Sequence, residues 1–252
     1  MKRTLVCTAL LVVSSAAFFV ESTPAAPAGK PTTHPATRQA YPSTDHYEVR
    51  QIEGWKVYVQ KEIDPRTCKD ALRLLEVKLY DITRAVPPKA LASLRAVPIW
   101  MGVKDVNGRH PCACYHPDRQ WLIDNHYNPD MAGAVEIANA ETFLKWSHGQ
   151  PQMVLHELAH GYHHQVLTHQ NAKVRAAYRH AVESKKYDAI LRSNGRRERA
   201  YAMNNEQEYF AELTEAYFGE NDFFPFVRIE LKEHDPEGCK MVQEAWGAGG
   251  GR

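Results

Sequence analysis

The first clear periodicity of the chain begins near His46. In HYEVRQIEGWKVYVQKEI, residues 46–63, apolar and polar residues alternate on both sides of Gly54. Alternation with a period of two places successive side chains on opposite faces of a strand. The pattern therefore predicts a pair of half-buried strands that turn at Gly54, and it marks the beginning of a folded domain over residues 46–252.

A helical periodicity follows from Pro65 to Val86. Apolar residues recur there every three or four positions, at Leu72, Leu75, Leu79 and Ile82. This spacing places them on one face of a helix, which Pro87 and Pro88 should end. We expect a second short helix around Leu91.

The rest of the chain divides into strands first and helices afterwards. Short apolar runs predict strands at residues 97–103, 120–124 and 134–138. Helices are predicted at 151–167, at 172–186, and from a cap at Asn204 or Asn205 to Gly219, with Asp222 and Asp235 as caps of two final helices. This order indicates an α+β fold in which a small mixed sheet packs on a helical part.

The N-terminal segment has the pattern of an export signal. Lys2 and Arg3 precede a mostly apolar run from Leu5 to Val20, which predicts a signal peptide over residues 1–21; an uncleaved membrane anchor is the alternative. Residues 22–45 hold five prolines and almost no bulky apolar residue, and they predict a flexible tether. We therefore expect a secreted or extracytoplasmic protein with no integral membrane span after signal removal.

The overall charge is nearly balanced. Lysine and arginine total 31 against 30 acidic residues, a net charge of +1. Such a balance gives no long-range field that would attract nucleic acid or an anionic membrane. We expect a monomer and no nucleic-acid partner.

Four cysteines remain once the signal is removed. An even number of cysteines in an exported protein predicts two disulfide bridges. Cys112 and Cys114 are too close in sequence to pair with each other, so each should bond to Cys68 or Cys239, in an order that the sequence leaves open. The rival interpretation makes CACYH, residues 112–116, part of a zinc knuckle, although the usual paired spacing of ligands is absent.

The strongest chemical signal is HELAH at residues 156–160. His156 and His160 are four apart, so one helical face presents both imidazoles to a single zinc ion. Glu157 can then reach a water at that zinc and take its proton. A third ligand cannot be His163, which lies roughly 10 Å along the helix axis from His156; we interpret His163 as a supporting or surface residue.

A later predicted helix, NNEQEYFAELTEAYFG at residues 204–219, supplies the missing carboxylate. Glu208, Glu212 and Glu215 share one face of it, and buried carboxylates need a partner. We expect Glu208 to be the third ligand and Glu212 to accept the free ring N–H of a zinc-bound histidine. Glu206 is the competitor for ligand, but the position four residues later is Phe210, which offers no supporting carboxylate.

These two motifs, together with Tyr201, resemble those of the gluzincin metallopeptidases, in particular the catalytic domain of the anthrax lethal factor family. The specific match is HELAH at 156–160 and EYFAE at 208–212, within a general likeness over residues 96–246. The resemblance implies a zincin-like fold, Glu208 as the zinc ligand, Glu212 in support and Tyr201 stabilising the oxyanion. It also implies that the strand at Val135, Glu136 and Ile137 forms the sheet edge with which a peptide substrate pairs.

The combined prediction is an exported metallopeptidase that binds one zinc ion per chain and cleaves a peptide or protein substrate. Glu157 would act as general base on the attacking water. Three alternatives stay open: a catalytically inactive zinc scaffold used for binding or adhesion, a domain whose zinc is purely structural, and a protein without metal.

Overall fold

The computed structural model describes residues 41–105 and 112–248. The predicted signal at 1–21 and most of the tether lie outside the described residues and stay predictions. The end of the tether differs from the prediction, because the Asn128 side chain donates to the Pro42 carbonyl at 3.3 Å and the Thr44 hydroxyl donates to Asp130 at 2.6 Å. The folded domain therefore begins before His46. Within the described ranges, no helix has the length and apolar character needed to cross a bilayer.

The first half of the domain is built on a five-stranded mixed sheet. Its strands are β1 (Tyr47–Ile52), β2 (Trp55–Gln60), β3 (Ile99–Met101), β4 (Ala113–His116) and β5 (Ala134–Ile137), in the spatial order β1-β2-β3-β5-β4. β1 and β2 form the predicted antiparallel hairpin. Its turn residues Glu53 and Gly54 both have positive φ, 49° and 90°, as a two-residue hairpin turn of matching twist requires.

β5 is an interior strand, so the expected sheet edge is wrong. Val135 is paired in parallel with Ile99 of β3 and in antiparallel fashion with Tyr115 of β4. The backbone of Val135, Glu136 and Ile137 is thus bonded on both sides and has no free edge. Among the described residues, β4 is the terminal strand next to β5.

Two helices connect β2 to β3 as predicted. They are α1 (Pro65–Ala85) and α2 (Pro88–Arg95). Asp64 caps α1 by accepting a hydrogen bond from the Thr67 N–H at 2.9 Å, which satisfies one of the unpaired amides of the first turn. Leu75, Leu79 and Ile82 on its inner face are buried, whereas Leu72 is only partly buried.

The strand predicted at residues 120–124 is wrong, because this segment is helix α3 (Arg119–Asp124). Asp118 starts the helix by accepting a hydrogen bond from the Trp121 N–H at 2.6 Å. An apolar run of this length has no periodicity that separates a strand from one turn of helix. The N-terminal cap by Asp118 is the feature that favours a helix here.

The second half of the domain is mainly helical, as predicted. Its helices are α4 (Ala140–Trp146), α5 (Met153–Tyr162), α6 (Ala172–Ser184), α7 (Glu206–Phe218), α8 (Arg228–His234) and α9 (Pro236–Ala245). Asn205 caps α7, and Asp235 caps α9. Asp222 does not cap a helix, since its carboxylate instead pairs with Arg192 at 3.0 Å. A two-stranded hairpin between α6 and α7, β6 (Ile190–Leu191) with β7 (Arg197–Glu198), was not predicted.

The two faces of the sheet are both covered. Val57, Ile99 and Ile137 point into a large apolar core that includes residues of α1, α5, α7 and α9. The opposite face carries Trp100 in a smaller cluster with Tyr47, Leu122, Tyr127, Met131 and Ala134. This is the α+β arrangement predicted, with the helical half packed on one face of the sheet.

The structure holds all four described cysteines as free thiols in place of the two expected bridges. The sulfur of Cys112 contacts the Met153 sulfur at 3.1 Å, and that of Cys114 lies 3.4 Å from Nε2 of His116. Cys112 and Cys114 thus contact other groups, and neither is bonded to Cys68 on α1 or Cys239 on α9.

Candidate metal centre

Helix α5 carries the HELAH motif into the centre of the domain. It begins at Met153, two residues later than the predicted start at Pro151. Gly161 lets the helix lie close to the sheet, since a Cβ there would come within 3.1 Å of Val97 and 3.3 Å of Tyr115. Both distances are tighter than ordinary van der Waals contact, so a larger residue would push α5 away from β4.

Three predicted ligands meet between α5 and α7. Nε2 of His156 lies 3.1 Å from Oε2 of Glu208, and Nε2 of His160 lies 3.3 Å from the same oxygen. The imidazole rings are 4.7 Å apart and nearly perpendicular. One helix therefore supplies two nitrogens and the other one oxygen, all directed to a common point.

The Asn205 cap explains why Glu208 is in this position. Its side chain accepts hydrogen bonds from the N–H groups of Gln207 and Glu208, at 2.9 Å and 2.8 Å, and so fixes the first turn of α7. Glu206, the rejected competitor, lies 3.8 Å from Arg175 instead. The structure thus brings together the ligand set that the spacing predicted.

The carboxylate that reaches Nδ1 of His156 is that of Glu215 and not that of Glu212, which the sequence favoured. Oε1 of Glu215 lies 2.6 Å from Nδ1 of His156, whereas the nearest Glu212 oxygen is 3.7 Å from that nitrogen, beyond hydrogen-bond distance. Glu212 is one turn earlier on the same buried face, and its Oε2 has no hydrogen-bond partner in the described part of the chain. The sequence placed both glutamates on the face that meets α5 but favoured Glu212, whereas the structure brings the adjacent turn, with Glu215, to His156.

Three carboxyl groups, those of Glu208, Glu212 and Glu215, share this site with two histidines. Burial favours the neutral form of Glu208, but hydrogen bonds from His156 and His160 outweigh it and hold the pKa of Glu208 well below its usual range. Burial opposes protonation of His156, yet Glu208 and Glu215 raise its pKa. Burial raises the pKa values of both Glu212 and Glu215. The neighbouring charge of Glu215 raises the pKa of Glu212 further. Buried carboxylates at this density favour a bound cation.

A cavity of about 380 Å³ opens beside the ligands. It is lined by residues that include His156, Glu157, Tyr201, Arg192, Phe223 and Ala113. Glu157 therefore borders the same space as the first ligand, as predicted for the general base. Arg192, which the sequence did not single out, forms part of the wall, where it pairs with Asp222 and lies 4.6 Å above the Phe223 ring.

Tyr201 is also at the cavity, in the short 3-10 helix that precedes α7. Its ring centre lies 6.3 Å from that of His156, and 45% of the residue remains exposed. Burial of the phenol and the nearby Glu208 carboxylate raise the pKa of Tyr201 to about 12. The hydroxyl therefore keeps its proton at neutral pH and can donate a hydrogen bond.

His163 is a core residue, which corrects its interpretation as a supporting or surface residue. It begins a π-helical turn, His163–Leu167, that widens the end of α5. Its ring is fully buried against Phe210 and His169, and both ring nitrogens are without a hydrogen-bond partner among the residues described. Burial, with the nearby His169 as a smaller cause, lowers the pKa of His163 to about 4.

The donor set suits zinc. Two imidazole nitrogens and one carboxylate oxygen are the protein ligands typical of catalytic zinc sites, which leave a further position for water. The nitrogen and oxygen atoms of this group lie within 4.8 Å of one another. The other ring nitrogen of His156, Nδ1, is hydrogen-bonded to Glu215, as is usual for a metal-binding histidine.

Comparisons of the chain with protein-family models, with curated proteins and with solved structures give no match.

Proposed function

We propose that this protein is a zinc-dependent metallopeptidase with a zincin-like fold of the gluzincin type. The observation that carries the proposal is the convergence of His156 and His160 from α5 on one oxygen of Glu208 from α7. The resemblance of HELAH and EYFAE to the motifs of the lethal factor catalytic-domain family supports the same activity.

His156, His160 and Glu208 would hold one catalytic zinc ion. When bound, zinc supplies a Lewis acid that polarises a carbonyl and lowers the pKa of a coordinated water towards neutrality. Glu215 fixes the orientation of the His156 ring through Nδ1, so Nε2 is the nitrogen left for the metal.

Glu157 and Tyr201 would carry the proton transfer and the charge stabilisation. Glu157 accepts a proton from the attacking water as its oxygen bonds to the carbonyl carbon of the peptide. The C–N bond then breaks, and Glu157 returns the proton to the leaving amine. Tyr201, protonated at neutral pH, donates a hydrogen bond to the carbonyl oxygen as negative charge develops on it.

Strand β4 replaces β5 as the candidate partner of an extended substrate. It is the terminal strand beside β5 in the described sheet, and Ala113 at its start lines the cavity with Glu157. An extended peptide that added a strand to this edge would form main-chain hydrogen bonds and lie alongside the candidate metal centre.

A second candidate function is a catalytically inactive zinc scaffold that binds a partner. The presence of Glu157 in the cavity argues against it, because a binding scaffold has no need of a general base beside its metal. A purely structural zinc site is disfavoured as well, because its ligands would fill every coordination position, whereas this group offers three among the described residues.

A peptide-library assay distinguishes the two functions. The mature protein is incubated with the library as purified, after chelation, and after zinc is restored. A peptidase cleaves in the first and third samples and not in the second. Binding of peptides without cleavage in any sample would favour the scaffold and overturn the proposal.

A further inference from the structure

A second group of metal-ligand side chains lies on the face of the sheet opposite α5. Cys114 and His116 are two apart on β4, and Glu136 is directly opposite Cys114 on β5. Val135 and Ile137, the neighbours of Glu136, point into the main core that contains α5. Because side chains alternate along a strand, Glu136 points to the other face.

The three side chains are in close contact. Nε2 of His116 lies 2.8 Å from Oε2 of Glu136 and 3.4 Å from the sulfur of Cys114. The three candidate ligand atoms all lie within 4.8 Å of one another. His116 is only 2% exposed and Glu136 only 5%, so the group sits in the protein and not on a solvated strand.

We propose that Cys114, His116 and Glu136 form a second zinc-binding site, separate from the candidate catalytic centre. A thiolate, an imidazole and a carboxylate are all zinc ligands, and the thiolate favours zinc over magnesium or calcium. Bonds of about 2.0–2.3 Å in tetrahedral geometry place ligand atoms roughly 3.3–3.7 Å apart. The S–N distance already fits this range, and the N–O contact needs to widen by only about 0.5 Å.

The candidate catalytic centre provides an internal comparison. There too, imidazole Nε2 atoms lie about one hydrogen-bond length from a carboxylate oxygen, at 3.1 Å and 3.3 Å. In both groups the metal-binding atoms of the three side chains lie within 4.8 Å of one another. The two sites differ in chemistry, because only the second offers a sulfur ligand.

The second site also has a route for entry of the ion. A surface cavity of about 600 Å³ is lined by Cys114 and His116 together with Trp121, Asp118 and Asp124. The three ligands found among the described residues leave one tetrahedral position for water from this side. A zinc ion there would tie β4 to β5, next to Ala113, where β4 borders the catalytic cavity.

Cobalt substitution tests the site without relying on activity. A cobalt ion bound to a thiolate has an intense near-ultraviolet charge-transfer absorption that imidazole and carboxylate ligands alone do not give. We expect this absorption in the cobalt-loaded protein and in Glu208→Ala. It should disappear in Cys114→Ser and persist in the matched control Cys68→Ser. In parallel, Cys114→Ser should bind one zinc ion fewer per chain than Cys68→Ser.

A labelling experiment on the unchanged protein covers the case in which Cys114→Ser does not fold. Zinc should slow alkylation of Cys114 at least tenfold while leaving alkylation of Cys68 unchanged, as measured by mass spectrometry. Cobalt-loaded protein without the thiolate absorption, or equal alkylation of Cys114 with and without zinc, would overturn the second site. Neither result bears on the catalytic proposal, because Glu208→Ala removes the ion at that centre and leaves the Cys114 site intact.

Discussion

Nδ1 of His156 lies 2.6 Å from Oε1 of Glu215. This contact joins α5 to α7 and determines which nitrogen of His156 remains for a metal. A carboxylate that accepts a hydrogen bond from the Nδ1–H group fixes the ring orientation and raises the basicity of Nε2. The two helices are therefore in contact through Glu215 as well as through Glu208, the proposed ligand.

Replacing this carboxylate should weaken zinc binding. We expect Glu215→Gln to lower zinc affinity by ~10–100-fold, because the ring loses a charged acceptor. Glu212→Gln is the matched control: it removes a charge one turn away that lies 3.7 Å from Nδ1, and its effect should be clearly smaller. Competition with a zinc-binding dye measures both. A larger loss in Glu212→Gln would restore the role first predicted for Glu212.

Glu157 should be needed for turnover and not for metal binding. Glu157→Gln keeps the shape of the side chain but removes the base, so kcat for peptide hydrolysis should fall by ~10²–10⁴-fold or more. Zinc content should be unchanged. Glu206→Gln serves as the control. Glu206 also lies on α7, but it is paired with Arg175, so this variant should keep its activity. Wild-type turnover by Glu157→Gln would refute the assignment of the base.

Tyr201→Phe removes one hydrogen-bond donor from the cavity. If the phenol stabilises the developing negative charge, kcat should fall ~10²–10³-fold with little change in KM. The surface variant Tyr80→Phe on α1 controls for loss of a hydroxyl elsewhere and should keep the wild-type kcat. A change confined to KM would show that Tyr201 binds substrate and does not act on the transition state.

His163 should make the fold sensitive to acid. Its folded-state pKa of about 4 is below the ordinary value of 6.5, so between these values the unfolded chain binds more protons. Stability from this residue is present above pH 6.5 and is lost as pH falls towards 4, by up to about 3 kcal/mol. Urea unfolding at several pH values measures it. His163→Leu should reduce the pH dependence in this window, whereas replacement of the exposed His180 by leucine should not.

The sequence predicts which side chains come together between α5 and α7, because their placement depends on spacing within helices. His156 and His160 stand on one face whatever surrounds them, and the Asn205 cap sets the register of Glu208. Sequence spacing does not give the rotation of α7 against α5. Glu212 and Glu215 lie on the same buried face, and only packing decides that Glu215 reaches His156.

The wrong predictions about the fold also concern features that local spacing does not determine. The order of strands in the sheet depends on long-range pairing, so the interior position of β5 could not be inferred from its place in the chain. The run at residues 120–124 was too short to show a period, and its capping residue Asp118 was the informative signal. His163 directly follows α5, but it lies in a π-helical turn and is buried against the Phe210 ring.

The most direct test of the central claim is the zinc affinity and stoichiometry of Glu208→Ala compared with wild type and Glu206→Ala. If His156, His160 and Glu208 close around one ion, Glu208→Ala should lose one tightly bound zinc per chain, and Glu206→Ala should keep the wild-type content. Retention of every zinc ion by Glu208→Ala, at wild-type affinity, would contradict the account.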